Sequence, residues 1–209
     1  MAITKTDTGR IVLSNAEYMI ITPYETEDKL GASSYDIVDV VGDTLSFTPD
    51  DNTVNAKESE FSDSVLFENI TLGKIQFAAT CINFNDEIMK NIFGWTKGKS
   101  GAMYAPNGYK DLYAVVEIGF KNEDVAVVVP KLKLNSKAVI STLKTGTGEA
   151  QLAGTAYDAE IKVGDDDAVK APMVFIMRGD TEAAYTIKVG NDDKSFKTGN
   201  DDTTSGLQA

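Results

Sequence analysis

The chain has 209 residues, 42% of them apolar, enough to bury a hydrophobic core in one β-rich domain with insertions or one domain with an appendage. A formal net charge of −12 without any basic run argues against a protein that grips nucleic acid, because phosphate affinity comes from clustered Lys and Arg. The absence of histidine removes the commonest general base and the ligand most often used for zinc, and with them every Cys–His or Ser–His site.

Residues 1–10 are polar and charged and lack the apolar core of a signal peptide, and no later apolar run approaches a membrane span. The expectation is a protein made in a cytoplasm and not inserted in a membrane. A single cysteine, Cys81, excludes an internal disulfide framework, so stability must come from packing or assembly. Asn69-Ile70-Thr71 matches a glycosylation acceptor, and without a secretory signal it reads as chance.

Taken in order, the first apolar stretch is Tyr18-Met19-Ile20-Ile21, a strand closed by Pro23. Residues 43–69 are polar, with a turn cluster at Pro49-Asp50-Asp51-Asn52, and read as a long loop with room for a hairpin inside it. The isolated apolar residues of that loop, Phe47, Phe61, Val65, Leu66 and Phe67, either fold back on the domain or dock on a neighbour; Phe47, Phe61, Val65 and Phe67 are the candidate inter-subunit contacts.

Residues 72–82 give the clearest strand: Ile75, Phe77, Ala79 and Cys81 alternate with Lys74, Gln76, Ala78 and Thr80. One face is buried, and Lys74, Gln76 and Thr80 belong to a face that meets water or a channel. The period then changes over 85–93. Ile88 with Ile92 and Met89 with Phe93 make one helical face, which Asn85 caps and Gly94 ends.

Glycines and Pro106 make 94–110 a connecting loop carrying Trp95, Tyr104 and Tyr109. A hairpin follows, with Leu112, Ala114, Val116, Ile118 and Phe120 on one face of 111–120, a corner at Asn122-Glu123, and the β-branched run 125–129 stopped by Pro130. Residues 137–143 and 148–162 form a second hairpin, the latter alternating Gln151, Ala153, Thr155, Tyr157 and Ile161. After the acidic turn Gly164-Asp165-Asp166-Asp167 come strands at 173–177 and 183–189, then a polar tail from Asn191 expected to be disordered. The division drawn is 1–163 and 164–209.

No enzyme motif survives inspection, and no cofactor or metal is called for. Residues 94–100 imitate a phosphate loop but are one residue short and follow a helix. Ser141-Thr142-Leu143-Lys144 fits Ser-x-x-Lys on a strand, where a helical turn is required. The Asp pairs and triplet lack the spaced ligands and closing Glu of a calcium loop, and read as solvated turns. Cys81 lies on an apolar face and reads as a small buried hydrophobe.

The order of parts is a polar amino-terminal arm, a long acidic loop, an alternating strand, a short helix ending in Gly, a glycine-rich loop and a β-meander. Carried on residues 68–72 through 91–94, on 112–120 with 127–131, and on 148–154, this order resembles the bacteriophage major tail protein family over about residues 9–162. The resemblance implies a mainly β, antiparallel sandwich or barrel-like tail-tube fold with one short flanking α-helix. It implies rings of six subunits stacked into a tube around a tape measure protein, with a tail terminator at one end and distal tail or baseplate proteins at the other. DNA passes through without specific binding, past a lumen whose acidity repels phosphate. The competing expectations are an immunoglobulin-like or adhesin-like binding module and, more remotely, a carboxylate metallohydrolase.

Overall fold

A computed structural model describes residues 16–37, 40–41, 43–59, 62–71, 73–82, 85–108, 110–120, 125–139, 149–177, 184–190, 192–198 and 206–207. In chain order the elements begin with β1 (Ala16–Thr26), β2 (Lys29–Leu30), β3 (Tyr35–Asp36), β4 (Ser46–Pro49), β5 (Thr53–Ser59), β6 (Ser62–Thr71), β7 (Ile75–Cys81) and helix α1 (Asp86–Asn91). The short β8 (Thr96–Lys97) and β9 (Met103–Tyr104) precede the long β10 (Lys110–Phe120), β11 (Val125–Val139) and β12 (Glu149–Tyr157). They are followed by β13 (Ala159–Val163), β14 (Val169–Ala171), β15 (Val174–Met177), β16 (Ala184–Val189), β17 (Asp192–Lys197) and β18 (Gly206–Leu207).

The fold is mainly β and antiparallel, as expected. A nine-stranded sheet runs β2-β1-β10-β11-β12-β7-β4, with β3 also beside β1 and β15 also beside β11. A five-stranded sheet, β14-β13-β16-β17-β18, packs on it. Among the described residues no helix is long and apolar enough to cross a membrane.

β7 shows how period two becomes packing. Phe77, Ala79 and Cys81 are buried and Lys74 and Ala78 are exposed, as alternation requires. α1 starts where Asn85 accepts hydrogen bonds from the amides of Glu87 and Ile88 and stops before Gly94, whose φ of 73° suits a residue without Cβ. Its orphan carbonyls are taken up: Ser136 donates to the Ile92 oxygen at 2.5 Å, and the Lys110 ammonium donates to that of Asn91. Ile88, Met89, Ile92 and Phe93 seat α1 on one face of the large sheet, in a core with Met19, Ile21, Leu134 and Leu152.

From Ala114 to Phe120, β10 is buried on both faces. Leu112, Ala114, Val116, Ile118 and Phe120 enter that first core, while Val115 faces a second core shared with the small sheet. β11 runs on past Pro130, contrary to the expected stop. Ala114 pairs with Leu132 and Val116 with Val129, so two residues of β11 oppose one of β10 in a bulge. On the other side of β11, residues 125–128 pair with β15 and residues 131–139 with β12. Pro130 lies where β11 changes partners, and its missing N–H is not needed by either ladder.

Two further expectations are corrected. The region 43–69 is largely strand: β4 pairs with β7, and β5 with β6 forms a hairpin. Backbone pairing needs no apolar pattern, and polar strands leave none to read. In the tail from Asn191, expected to be disordered, residues 192–197 and 206–207 form β17 and β18. Phe196 is buried, stacked on Tyr185 with centroids 5.0 Å apart and planes 4° from parallel. The small sheet begins at Ala159, so the boundary drawn at 163 separates β13 from the sheet it belongs to.

Candidate interaction surface

The face of the large sheet opposite α1 is divided. At one end the small sheet covers it, over Val115 and Val128. At the other end it is open across five strands, and the registers place its side chains in rows. One row is Asp111, Asn135, Ala153, Ala78 and Ser46; the next is Tyr113, Lys133, Thr155, Gln76 and Thr48. Lys131 pairs with Tyr157, and Gln151 with Thr80. Lys74, Gln76 and Thr80, the residues expected on a wet face, therefore share this surface with partners from β10, β11 and β12.

The surface is ordered by its own contacts. The Lys74 ammonium stands 4.2 Å from the centre of the Tyr157 ring, and that of Lys131 5.0 Å from the Tyr113 ring. The two rings meet edge to face at 6.1 Å. Lys133 pairs with Asp111 at 3.4 Å and Lys131 with Glu27 at 3.3 Å. Gln76 donates to Asp50 at 2.6 Å and accepts from the Thr155 hydroxyl at 2.9 Å. Lys74, Lys131 and Lys133 stand here against the carboxylates of Glu27, Asp50, Asp111 and Glu149, so this face is close to neutral in a chain of net charge −12.

From sequence, Tyr157 reads only as one member of an alternating strand, and Tyr113, Lys131 and Lys133 are not singled out as surface residues. The signal existed in the alternation Lys131-Leu132-Lys133-Leu134, which lies beyond the proline where the strand was expected to stop.

The candidate contact residues are dispersed. Phe47 lies on β4, half-buried, its ring 5.4 Å from that of Phe77, and so is already used within its own chain at the rim of the first core. Val65 and Phe67 lie on β6, in register with Glu58 and Lys57. Phe61 lies outside the described residues. The hairpin runs from the Thr53–Thr71 pair to the Ser59–Ser62 pair and forms a sheet of its own.

Other candidates resolve into structure. Trp95 packs on the first core, Tyr104 is exposed on β9, and Tyr109 and the Ser141–Lys144 motif lie outside the described residues. Residues 94–100 hold β8 and a turn, and the Asp165–Asp167 triplet is an exposed turn. The buried Cys81 thiol contacts the Ala150 carbonyl, and burial pushes its pKa up to about 11, which makes it a poor nucleophile. A cleft of about 310 Å³ is bordered by Tyr24, Ser33, Tyr35 and Lys110. Burial lowers the Lys110 pKa, and its ammonium is occupied by the end of α1.

The sequence matches no protein-family model and no curated protein.

Proposed function

We propose that this chain is a non-enzymatic structural subunit that assembles with copies of itself, as the tail tube of a bacteriophage: rings of six, stacked, with a channel for DNA. The observation that carries the reading is the β5–β6 hairpin. Among the described residues each strand pairs with the other alone, over about 20 Å at roughly 3.3 Å per residue. Two-stranded hairpins are marginal in water by themselves. A neighbouring copy supplies the missing support, with Val65 and Phe67 on the docking strand.

The open sheet face supports the same reading, because a polar, internally bonded surface suits a wet channel. It also alters the expected electrostatics. If this face lines the channel, DNA meets a near-neutral wall whose lysines are engaged by Tyr113, Tyr157, Asp111 and Glu27, and low adhesion comes from that balance rather than from acid. In this reading the protein is made in a bacterial cytoplasm and resides in the virion tail, between terminator and baseplate proteins and around a tape measure protein.

Negative-stain electron microscopy of the concentrated protein tests the proposal, beside a variant in which residues 53–71 are replaced by a short Gly-rich loop. Rings or tubes from the intact chain and none from the variant are expected. Monodisperse monomers from the intact chain at every concentration would count against self-assembly and favour a β-rich binding module.

A further inference from the structure

At one end of the large sheet the rows cross four strands in succession. Ala16 pairs with Phe120, Phe120 with Val125 and Val125 with Met177; a second row joins Met19, Ile118, Val127 and Phe175. The last strand, β15, is bonded to β11 on one side only among the described residues. Its side chains divide by parity: Ile176 is buried in the second core, whereas Phe175 and Met177 are 45% and 56% exposed. Val174-Phe175-Ile176-Met177 carries no charge or proline to blunt the edge, the devices that ordinarily keep such a strand from accepting another.

The chain contains a segment suited to that edge. Fifteen residues precede β1, and they hold the β-prone run Ile11-Val12-Leu13, in which Ile11 and Leu13 repeat the two-residue spacing of Phe175 and Met177. They also hold Lys5 and Arg10 against Asp7, a net positive arm in a chain of net charge −12. Reach decides which copy supplies the arm. The outer side of β15 lies four strand spacings from β1, about 19 Å. Leu13 and Val12 are three and four residues from Ala16, at most roughly 10 and 14 Å even when fully extended. The run cannot lie along the outer edge of its own β15.

We propose that residues 1–15 of one copy add as a strand to β15 of a neighbouring copy, with Ile11 and Leu13 over Phe175 and Met177. The contact is heterologous, arm to edge, so it propagates from copy to copy. It rests on the reading that the chain assembles with itself.

The test uses the full chain carrying both Leu13→Cys and Met177→Cys, oxidised under assembling conditions, with each single variant beside it. A ladder of covalent multimers on a non-reducing gel is expected from the double variant, dimers from an equal mixture of the two single variants, and neither from a single variant alone. A disulfide closed within one chain, running as a monomer, overturns the proposal, as do dimers from Met177→Cys alone. Phe175→Lys with Met177→Lys alters only exposed side chains. It is expected to keep the circular dichroism spectrum and melting midpoint and to lose the assemblies. Rings that persist in this variant overturn the arm contact and leave the tube reading standing, whereas an intact chain that never assembles removes both.

Discussion

Tyr185 on the small sheet donates its hydroxyl to one carboxylate oxygen of Glu117 on the large sheet at 2.7 Å, and Tyr18 donates to the other oxygen at the same distance. Glu117 and Tyr185 are each 1% exposed, within a second core otherwise made of Leu30, Val115, Ile161, Ile187 and other apolar side chains. Apolar contacts hold the sheets together without fixing their register. This shared carboxylate fixes it, because only one placement of β16 brings the phenol to Glu117.

Tyr185→Phe is therefore expected to lower stability by about 2 kcal/mol, the scale of a buried hydrogen bond to a charged group. Urea unfolding measures it, and a double-mutant cycle with Glu117→Gln should give a coupling of similar size. Additivity of the two substitutions would show that the contact does not couple the sheets.

Gly119 should be intolerant for a related reason. A Cβ there would lie 2.1 Å from the Tyr18 ring, which crosses the glycine from the neighbouring strand. Gly119→Ala must push that ring aside and with it the hydroxyl that reaches Glu117. We expect a loss comparable to that of Tyr185→Phe, and little further loss when Gly119→Ala is added to Tyr18→Ala, which removes the ring that the new Cβ would meet.

Alkali should unfold the protein over a defined range. Burial raises the pKa of Tyr24 from 10.0 to about 12 and that of Cys81 from 9.0 to about 11. Burial, and after it the Glu117 charge, raises that of Tyr185 well above 10.0. These groups hold their protons more tightly folded than unfolded. Their contribution is complete below the unfolded values and fades as pH rises through the folded ones. Stability from these groups should be flat up to about pH 9 and fall above it, with tyrosinate absorbance from Tyr24 and Tyr185 appearing together with loss of circular dichroism. Tyrosine ionisation that is complete well before unfolding would contradict this assignment.

Cys81 should not react with a thiol reagent such as Ellman's in the native protein and should react fully in denaturant. Rapid native labelling would mean that the β7–β12 pairing around Ala150 opens readily.

The cap of α1 gives a local test. Asn85→Ala removes the acceptor for the Glu87 and Ile88 amides and should cost about 1 kcal/mol, while Asn85→Asp or Asn85→Ser should cost much less. Thermal melting separates the two outcomes.

What could be read without coordinates was what repeats. The alternation in β7, the four-residue spacing of α1 with its Asn85 cap, and the apolar face of β10 were legible because one partner, water or core, decides each residue. What could not be read has a partner elsewhere in the chain. The continuation of β11 past Pro130 depends on where β12 and β15 end. The strand at β17 depends on Phe196 finding Tyr185. The open face depends on registers that bring Tyr113 and Tyr157 together from strands whose pairing sequence does not announce. The β5–β6 hairpin has no apolar period to betray it.

The Tyr18–Glu117 contact spans 99 positions of sequence. During synthesis at 5–20 residues per second, β1 leaves the ribosome roughly 5–20 s before the strand it pairs with exists. Through that interval Met19-Ile20-Ile21 is an apolar strand without its sheet, and the small sheet cannot close until Phe196 has also been made. The nascent chain must be shielded, or its polar flanks must keep it from pairing with other chains, for most of its own translation.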